Sequence, residues 1–249
     1  MQGKVCVITG AGQGIGEALA LHFAARGARV VVAEMNAARG AEVAALIKNA
    51  GHEAIAVETD VTDPRSVAAL AARTRAAYGP AEILINNARW SGLKPTPVAE
   101  IADEDWQRAL DVNVTGAFNC IRALVPGMIA ARWGRIVNMS SSTVRLPPPR
   151  PYVHYITSKA ALLGLTRALA RELGEHGITV NALLPGSVET GVERHVTSEE
   201  RARRVKAVQS IPQVITSDDI VGAASFLCSE EAALITGQSL AIDGGQTFA

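Results

Sequence analysis

The chain has few of the residues that mark several classes of protein. Its three cysteines lie far apart among 249 residues and form no C-x-x-C pair, which argues against a disulfide framework and a zinc site. Lysine and arginine total 24, as do aspartate and glutamate, so no charge excess favours nucleic acid or an anionic membrane. The N-terminal apolar run ends at a glycine turn, too short for a membrane span and without a signal-peptide cleavage pattern. We therefore expect a cytoplasmic protein that binds a small molecule and needs no metal, nucleic acid or membrane.

Short β-branched runs alternate with alanine-rich segments of helical spacing along the chain. The runs are almost continuously apolar, which indicates strands covered on both faces and hence a parallel sheet with helical crossovers. Seven runs have this character: KVCVIT, ARVVVAE, EAIAVETD, EILINN, GRIVNMS, GITVNALLP and QSLAID. The pattern predicts one α/β domain over residues 1–249, with a doubly wound sheet of seven parallel strands flanked by helices. A polar insertion at about 187–212 follows a strand end, where such folds bind ligands.

A glycine-rich turn follows the first predicted strand and opens the first predicted helix. Its spacing, Gly10-x-x-x-Gly14-x-Gly16, differs from the common G-x-G-x-x-G fingerprint. Glycines there let the backbone approach a ligand, and a helix N-terminus offers free N–H groups to a pyrophosphate. A turn of this kind also occurs wherever a strand meets a helix, so the turn by itself is weak evidence for a dinucleotide.

An acidic residue, Glu34, ends the second predicted strand, where a carboxylate can bond both ribose hydroxyls of an adenosine. A carboxylate there would repel a 2′-phosphate, and neither Gln13 nor Met35 is an arginine that could neutralise one. These residues predict a preference for NAD(H) over NADP(H). Arg39, one turn into the next helix, is the residue best placed to reverse that preference. The alternative for Glu34 is a solvated strand end.

The stretch HYITSK carries Tyr155 and Lys159 four residues apart, so the two side chains share one face of a helix. In an arbitrary helix such a pair is usually a solvated lysine beside a half-buried tyrosine.

The ordered motifs of the whole chain resemble those of the short-chain dehydrogenases/reductases. The motifs are TGAGQGIG at 9–16, DV at 60–61, NNAR at 86–89, NV at 113–114, GRIVNMSS at 134–141, YITSK at 155–159, PG at 185–186 and ITGQSLAIDGG at 235–245. The resemblance implies a single-domain Rossmann fold and hydride transfer between a nicotinamide cofactor and an alcohol or ketone.

The resemblance also implies the catalytic roles. Tyr155 is the general acid/base and Lys159, which contacts the nicotinamide ribose, is its cationic neighbour. A free tyrosine has a pKa of about 10 and is a poor base at neutral pH, whereas an adjacent ammonium favours the phenolate. Asn113 would hold a water molecule of a proton relay. A serine would bond the substrate oxygen, and the motif favours Ser141, with Ser142 as the alternative.

The cofactor implied by the resemblance and by the acidic strand end is NAD. The residues expected to bind it are Gly10, Gln13, Gly14, Ile15, Gly16, Glu34, Asp60, Val61, Asn86, Ala88, Tyr155, Lys159, Pro185, Gly186, Val188 and Thr190.

The expected substrate pocket is mostly apolar, which suits a hydrophobic secondary alcohol or its ketone better than a sugar. Its expected residues are Trp90, Ser141, Leu146, Tyr152, Ser187 and Val192. Arg89 stands where the family usually has glycine. Its side chain could point to solvent, face an anionic group of the substrate, or hold the neighbouring loop.

The sequence is compatible with two other functions. Basic residues near the insertion would suit a 3-oxoacyl-thioester reductase that uses NADPH and an acidic carrier, although Glu34 argues against NADPH. A non-catalytic dinucleotide sensor is less favoured because serine, tyrosine, lysine and asparagine occur together. The resemblance also implies a homotetramer assembled through the two long helices at about 104–131 and 152–175.

Overall fold

The structure, a computed structural model, describes residues 1–90, 94–190, 203, 205 and 207–248. Seven parallel strands form its main sheet in the order β3-β2-β1-β4-β5-β6-β9. Those strands are β1 (Val5–Thr9), β2 (Arg29–Glu34), β3 (Ala54–Glu58), β4 (Ile83–Asn86), β5 (Gly134–Met139), β6 (Ile178–Pro185) and β9 (Ser239–Ile242). All seven predicted strands are therefore present, and the expectation of a parallel seven-stranded sheet is confirmed.

Helices cover both faces of this sheet, as the apolar character of the strands requires. They are α1 (Gly14–Ala25), α2 (Ala37–Asn49), α3 (Pro64–Tyr78), α4 (Asp103–Leu110), α5 (Gly116–Ala131), α6 (Val153–Leu173) and α7 (Asp218–Leu227). One core cluster includes Phe23 and Ile220 and the other includes Leu70 and Leu124, so each face of the sheet has its own core. Together the two cores bury the strands on both sides.

The order of strands reverses beside β1, which pairs with β2 on one edge and with β4 on the other. From that point, β2 and β3 extend in one direction and β4, β5, β6 and β9 in the opposite direction. The loops at the carboxyl ends diverge there and leave a crevice, which is where doubly wound sheets bind ligands.

The predicted helix over residues 104–131 forms as α4 and α5 joined by a π-helical turn, Asp111–Thr115. The combined segment Asp103–Ala131 is long and apolar enough to cross a membrane by length and composition alone. That is weak evidence for a span, because core helices pass the same test. Within α5, Cys120, Leu124 and Met128 are buried in the core beside the sheet.

A small second sheet pairs the start of the insertion with the chain just after its end. Its strands, β7 (Val188–Glu189) and β8 (Ile215–Thr216), pair in parallel. Residues 191–202 of the insertion lie outside the described part of the chain.

A line of buried amides and hydroxyls runs between the sheet and α6. Asn86 donates from Nδ2 to Asn138 Oδ1 at 2.9 Å, and Asn138 donates from Nδ2 to Thr166 Oγ1 at 2.9 Å. A buried amide that loses its partner costs about 1–3 kcal/mol, so these bonds specify how α6 lies on β4 and β5.

Candidate active site

A cavity of about 420 Å³ occupies the crevice at the reversal of strand order. Most of the residues expected to bind cofactor or substrate line it. They are Gly10, Gln13, Gly14, Ile15, Gly16, Glu34, Asp60, Val61, Ala88, Trp90, Ser141, Tyr155, Lys159, Pro185, Gly186, Val188 and Thr190. They come from the carboxyl ends of six strands of the main sheet and the segments that follow them, including helices α1 and α6.

The glycine turn has the geometry that a close ligand requires. Gly10 and Gly14 adopt left-handed backbone conformations with φ of 62° and 59°, which favour glycine. A Cβ atom on Gly10 would lie 2.8 Å from the Cα atom of Ala88, so the turn and the loop after β4 approach too closely for a side chain. Gln13 precedes α1 without a side-chain cap, which leaves the first amides of the helix available. A pyrophosphate fits such an uncapped N-terminus.

Asn87 holds the glycine turn against the loop after β4. Its Nδ2 donates to the carbonyl oxygens of Thr9 and Gly10, each at 3.0 Å. In return, Thr9 Oγ1 accepts hydrogen bonds from the backbone amides of Asn87 and Ala88.

The neighbouring Asn86, expected to contact the cofactor, does not line the cavity, because its side chain points along the sheet to Asn138. Asn87 lines the cavity in its place. The NNAR motif contains both asparagines, but the sequence does not show which of the two side chains faces the cavity.

Glu34 lies at the end of the cavity formed by β1 and β2. Its carboxylate accepts hydrogen bonds from the amides of Gly12 at 3.0 Å and Asn36 at 3.1 Å. A Cβ atom on Gly12 would lie 2.7 Å from Glu34 Cγ, so glycine is needed for this approach. Arg39 donates from Nη1 to Gln13 Oε1 at 2.7 Å, and its guanidinium is therefore engaged beside Glu34.

Tyr155 and Lys159 lie one helical turn apart in α6 and both line the cavity. Lys159 Nζ is 6.0 Å from the centre of the Tyr155 ring and donates to the carbonyl oxygen of Met139 at 2.7 Å. The lysine is only 2% exposed. Burial, and secondly the positive charge of Arg89, lower the pKa of Lys159 to about 7.

The three consecutive serines after β5 have different surroundings. Ser140 lines the cavity but donates its hydroxyl to the carbonyl oxygen of Lys159 at 2.8 Å. Ser141 lines the cavity, and its Oγ accepts from the amide of Thr143 at 3.3 Å and from Thr143 Oγ1 at 2.9 Å. Ser142 is buried and does not line the cavity. Of the two candidate serines, Ser141 is the one that faces the site.

Asn113 lies behind the cavity wall, within the π-helical turn. Its Oδ1 accepts from the amide of Trp90 at 3.1 Å, and its Nδ2 donates to Ser158 Oγ at 2.9 Å. Ser158 in turn donates to the carbonyl oxygen of Tyr155 at 2.8 Å. Asn113 therefore connects the loop after β4 to the helix that carries the tyrosine.

The expected substrate pocket is only partly assembled in the described cavity. Leu146, Tyr152 and Ser187 do not line it; Leu146 is 45% exposed beyond the turn after β5, and Ser187 is exposed. Val192 lies outside the described residues.

Other wall residues were not expected from the sequence, including Arg108, Asp111, Val112 and Met139. Arg108 lies with its Cζ atom 6.0 Å from the centre of the Trp90 ring. No local motif marks α4, so only its packing beside α6 reveals that it faces the cavity.

Comparison with known proteins agrees with this arrangement. A family model described as enoyl-(acyl carrier protein) reductase matches residues 10–247. The chain belongs to the short-chain dehydrogenase/reductase family. It is therefore an oxidoreductase of a family that uses nicotinamide dinucleotide cofactors.

Relatives named for different activities are similar over nearly the whole chain. A short-chain type dehydrogenase/reductase of Picea abies is 37% identical, over 98% of this chain and 92% of its own length. The 3-oxoacyl-(acyl-carrier-protein) reductase FabG of Escherichia coli (strain K12) is 34% identical, over 98% of this chain and 97% of its own length. A 3-oxoacyl-(acyl-carrier protein) reductase from Brucella melitensis, crystallised with bound NAD, is 34% identical and superposes with a TM-score of 0.92. The match covers 100% of this chain and 92% of that chain.

The buried Lys159 determines the sign of one pH effect on stability. Its pKa is about 7 in the folded protein, and in the unfolded chain it returns to the ordinary value of 10.5. Between these values the unfolded chain binds more protons, so the folded state gains stability as pH rises. The free energy of unfolding should therefore increase relative to that of Lys159→Met by up to about 1.4 kcal/mol per pH unit. Urea unfolding of both proteins across this window measures the difference, and a pH-independent difference would contradict the assignment.

Proposed function

We propose that this protein is an NAD-dependent oxidoreductase that interconverts a hydrophobic secondary alcohol and its ketone, with Tyr155 as the general acid/base. One observation carries the proposal. Tyr155, Lys159 and Ser141 line the same cavity as the glycine turn and Glu34. A proton-transferring group and a dinucleotide-binding turn are thus available to one small molecule.

The chemistry divides between the cofactor and the chain. The nicotinamide supplies or accepts the hydride when it is bound. During ketone reduction the Tyr155 hydroxyl gives its proton to the substrate oxygen, and during alcohol oxidation the phenolate takes that proton back.

Ser141 is oriented to stabilise the substrate oxygen. Its Oγ accepts two hydrogen bonds from Thr143, so its own hydroxyl hydrogen remains free to point into the cavity. A hydrogen bond from this hydroxyl favours the negative charge that develops on the oxygen during the reaction.

Lys159 supports the proton transfer from behind Tyr155. One of its N–H groups is used by the Met139 carbonyl oxygen, and an ammonium has two more to donate. In its protonated form it places a positive charge 6.0 Å from the centre of the Tyr155 ring.

Replacing the tyrosine should remove the acid/base step while keeping the fold. We expect Tyr155→Phe to lower kcat/KM by about 100-fold or more, because general acid/base catalysis contributes about 10²–10⁴-fold. Turnover is measured as the reduction of NAD+ and of NADP+ by aryl, alicyclic and 3-hydroxyacyl secondary alcohols. Calorimetric titration with NADH checks that the variant is folded. A Phe variant with undiminished turnover would refute the role of Tyr155. A wild type that binds NADH but turns over none of these alcohols would instead favour the sensor alternative.

The preference for NAD(H) rests on the charge of Glu34. The carboxylate lines the cavity and is held by two backbone amides, and the nearby Arg39 guanidinium is bonded to Gln13. A fixed negative charge at this point opposes a 2′-phosphate and accepts hydrogen bonds from ribose hydroxyls.

Neutralising Glu34 should weaken the discrimination against NADP+. We expect Glu34→Gln to lower the ratio of the NADP+ to NAD+ dissociation constants by roughly 10-fold, because the charge repulsion disappears while an acceptor oxygen remains. Glu42→Gln, at an exposed position of α2, is the matched control. Calorimetric titration with both nucleotides gives the ratio. A wild-type protein that binds NADP+ more tightly would overturn the cofactor proposal.

A 3-oxoacyl-thioester reductase is the second candidate. It is favoured by the similarity to the Escherichia coli and Brucella melitensis reductases, the second of which was crystallised with NAD. Turnover of an acetoacetyl thioester with NADPH, without turnover of aryl or alicyclic carbinols, would select this candidate.

We further propose a homotetramer. Apolar side chains that remain exposed on the α4–α5 segment, Trp106 at 37% and Phe118 at 42%, support an interface there, as does Val153 at the start of α6. We expect light scattering after gel filtration to give the mass of four chains, and the mass of one chain would contradict the proposal.

A further inference from the structure

The part of the cavity that contains Tyr155 has an excess of positive charge. Arg89, Arg108 and Lys159 line the cavity, and Asp111, three residues after Arg108, is a carboxylate of the same wall. Asp111 accepts a hydrogen bond from Gln107 Nε2 at 2.8 Å. Of the two other wall carboxylates, Glu34 ends β2 and Asp60 follows β3, and both strands lie on the opposite side of β1 from β4.

The backbone on both sides of Arg89 is fixed. The amide of Ala88 donates to Thr9 Oγ1 at 3.0 Å, and the amide of Trp90 donates to Asn113 Oδ1 at 3.1 Å. Arg89 is therefore held at the wall by its two neighbours, although its side chain is exposed. These bonds of Ala88 and Trp90 already hold the loop, so the Arg89 side chain is not needed for that role.

Arg89 has no ion pair with any residue that the structure describes. Its positive charge lies close enough to Lys159 to lower the pKa of that ammonium. Two cations that share a cavity repel each other, and an anion bound between or beside them relieves the repulsion. Among side chains, a guanidinium is the one best suited to bind a carboxylate, through two parallel hydrogen bonds.

We propose that the substrate carries a carboxylate beside its apolar body, and that Arg89 binds this carboxylate and so determines specificity. The inference rests on the proposed alcohol–ketone reaction and narrows its substrate to hydroxy acids and oxo acids. Trp90, Val112 and Met139 also line the cavity and offer apolar contacts to the rest of the substrate. Arg108, against the Trp90 ring, adds a second positive charge at that side.

Matched pairs of ketones test the proposal. The probes are benzoylformate and levulinate, each compared with its methyl ester, and the measured quantity is the acid-to-ester ratio of kcat/KM with NADH. In Arg89→Gln this ratio should fall by roughly 10- to 100-fold, because one charge-assisted bidentate contact is lost. Comparison of this ratio between the variant and the wild type cancels the different intrinsic reactivities of acid and ester. Arg73→Gln removes an equal charge from an exposed position of α3 outside the cavity wall and should leave the ratio unchanged.

A binding measurement separates this inference from the proposed reaction. Mandelate and its amide are titrated calorimetrically into the protein saturated with NADH, in wild type and in Arg89→Gln. Mandelate binding that weakens at least about 10-fold in the variant, with no such change for the amide, supports the inference even if no ketone is reduced. The inference would be overturned if the protein reduces neutral ketones and Arg89→Gln leaves the acid-to-ester ratio of kcat/KM unchanged. The proposed alcohol–ketone reaction would still stand in that case. If Arg89→Gln lowers kcat/KM equally for acid and ester and also weakens NADH binding, Arg89 belongs to the cofactor site. That result would also overturn the inference.

Discussion

The junction between the end of β5 and helix α6 determines the geometry of the site. Lys159 reaches from the helix to the carbonyl oxygen of Met139, and Ser140 reaches back from the strand to the carbonyl oxygen of Lys159. Deeper in the molecule, Asn138 donates to Thr166 across the same junction. Apolar packing between a helix and a sheet is not directional, whereas these hydrogen bonds are, so they specify both the rotation and the height of α6. The position of Tyr155 follows from them.

A second set of contacts connects the two ends of the cavity. Asn87 and Thr9 bind the loop after β4 to the glycine turn, and Asn113 binds the same loop to α6 through Ser158. The loop that carries Arg89 is thus anchored at both sides. A cofactor held at the turn and a substrate held near the tyrosine would be positioned by one connected framework, which supports orientation of the reacting atoms.

Electrostatics differ between the two ends of the cavity. Glu34 and Asp60 line the end near β2 and β3, while Arg89, Arg108 and Lys159 line the cavity together with Tyr155. Family membership identifies the class of reaction, and one fold accommodates many substrates through its loops. The distribution of charge in this cavity is therefore more informative about the substrate than the overall similarity to any one relative.

The sequence by itself determined the parts of the protein that depend on local pattern. Apolar runs predicted the seven strands, the glycine spacing predicted the turn, and the four-residue spacing of Tyr155 and Lys159 placed both on one helical face. Tertiary structure alone decided which of two adjacent residues faces the cavity. Asn87 lines it where Asn86 was expected, and Ser141 lines it while Ser142 does not.

The same limit applies to residues that are distant in sequence. Neither Arg108 on α4 nor the π-helical turn Asp111–Thr115 carries a local sequence signal of its location. Leu146 and Tyr152 were expected in the substrate pocket but do not line the described cavity. The physical reason is that periodicity reports which face of an element is buried, whereas contact with a particular cavity depends on how separate elements pack.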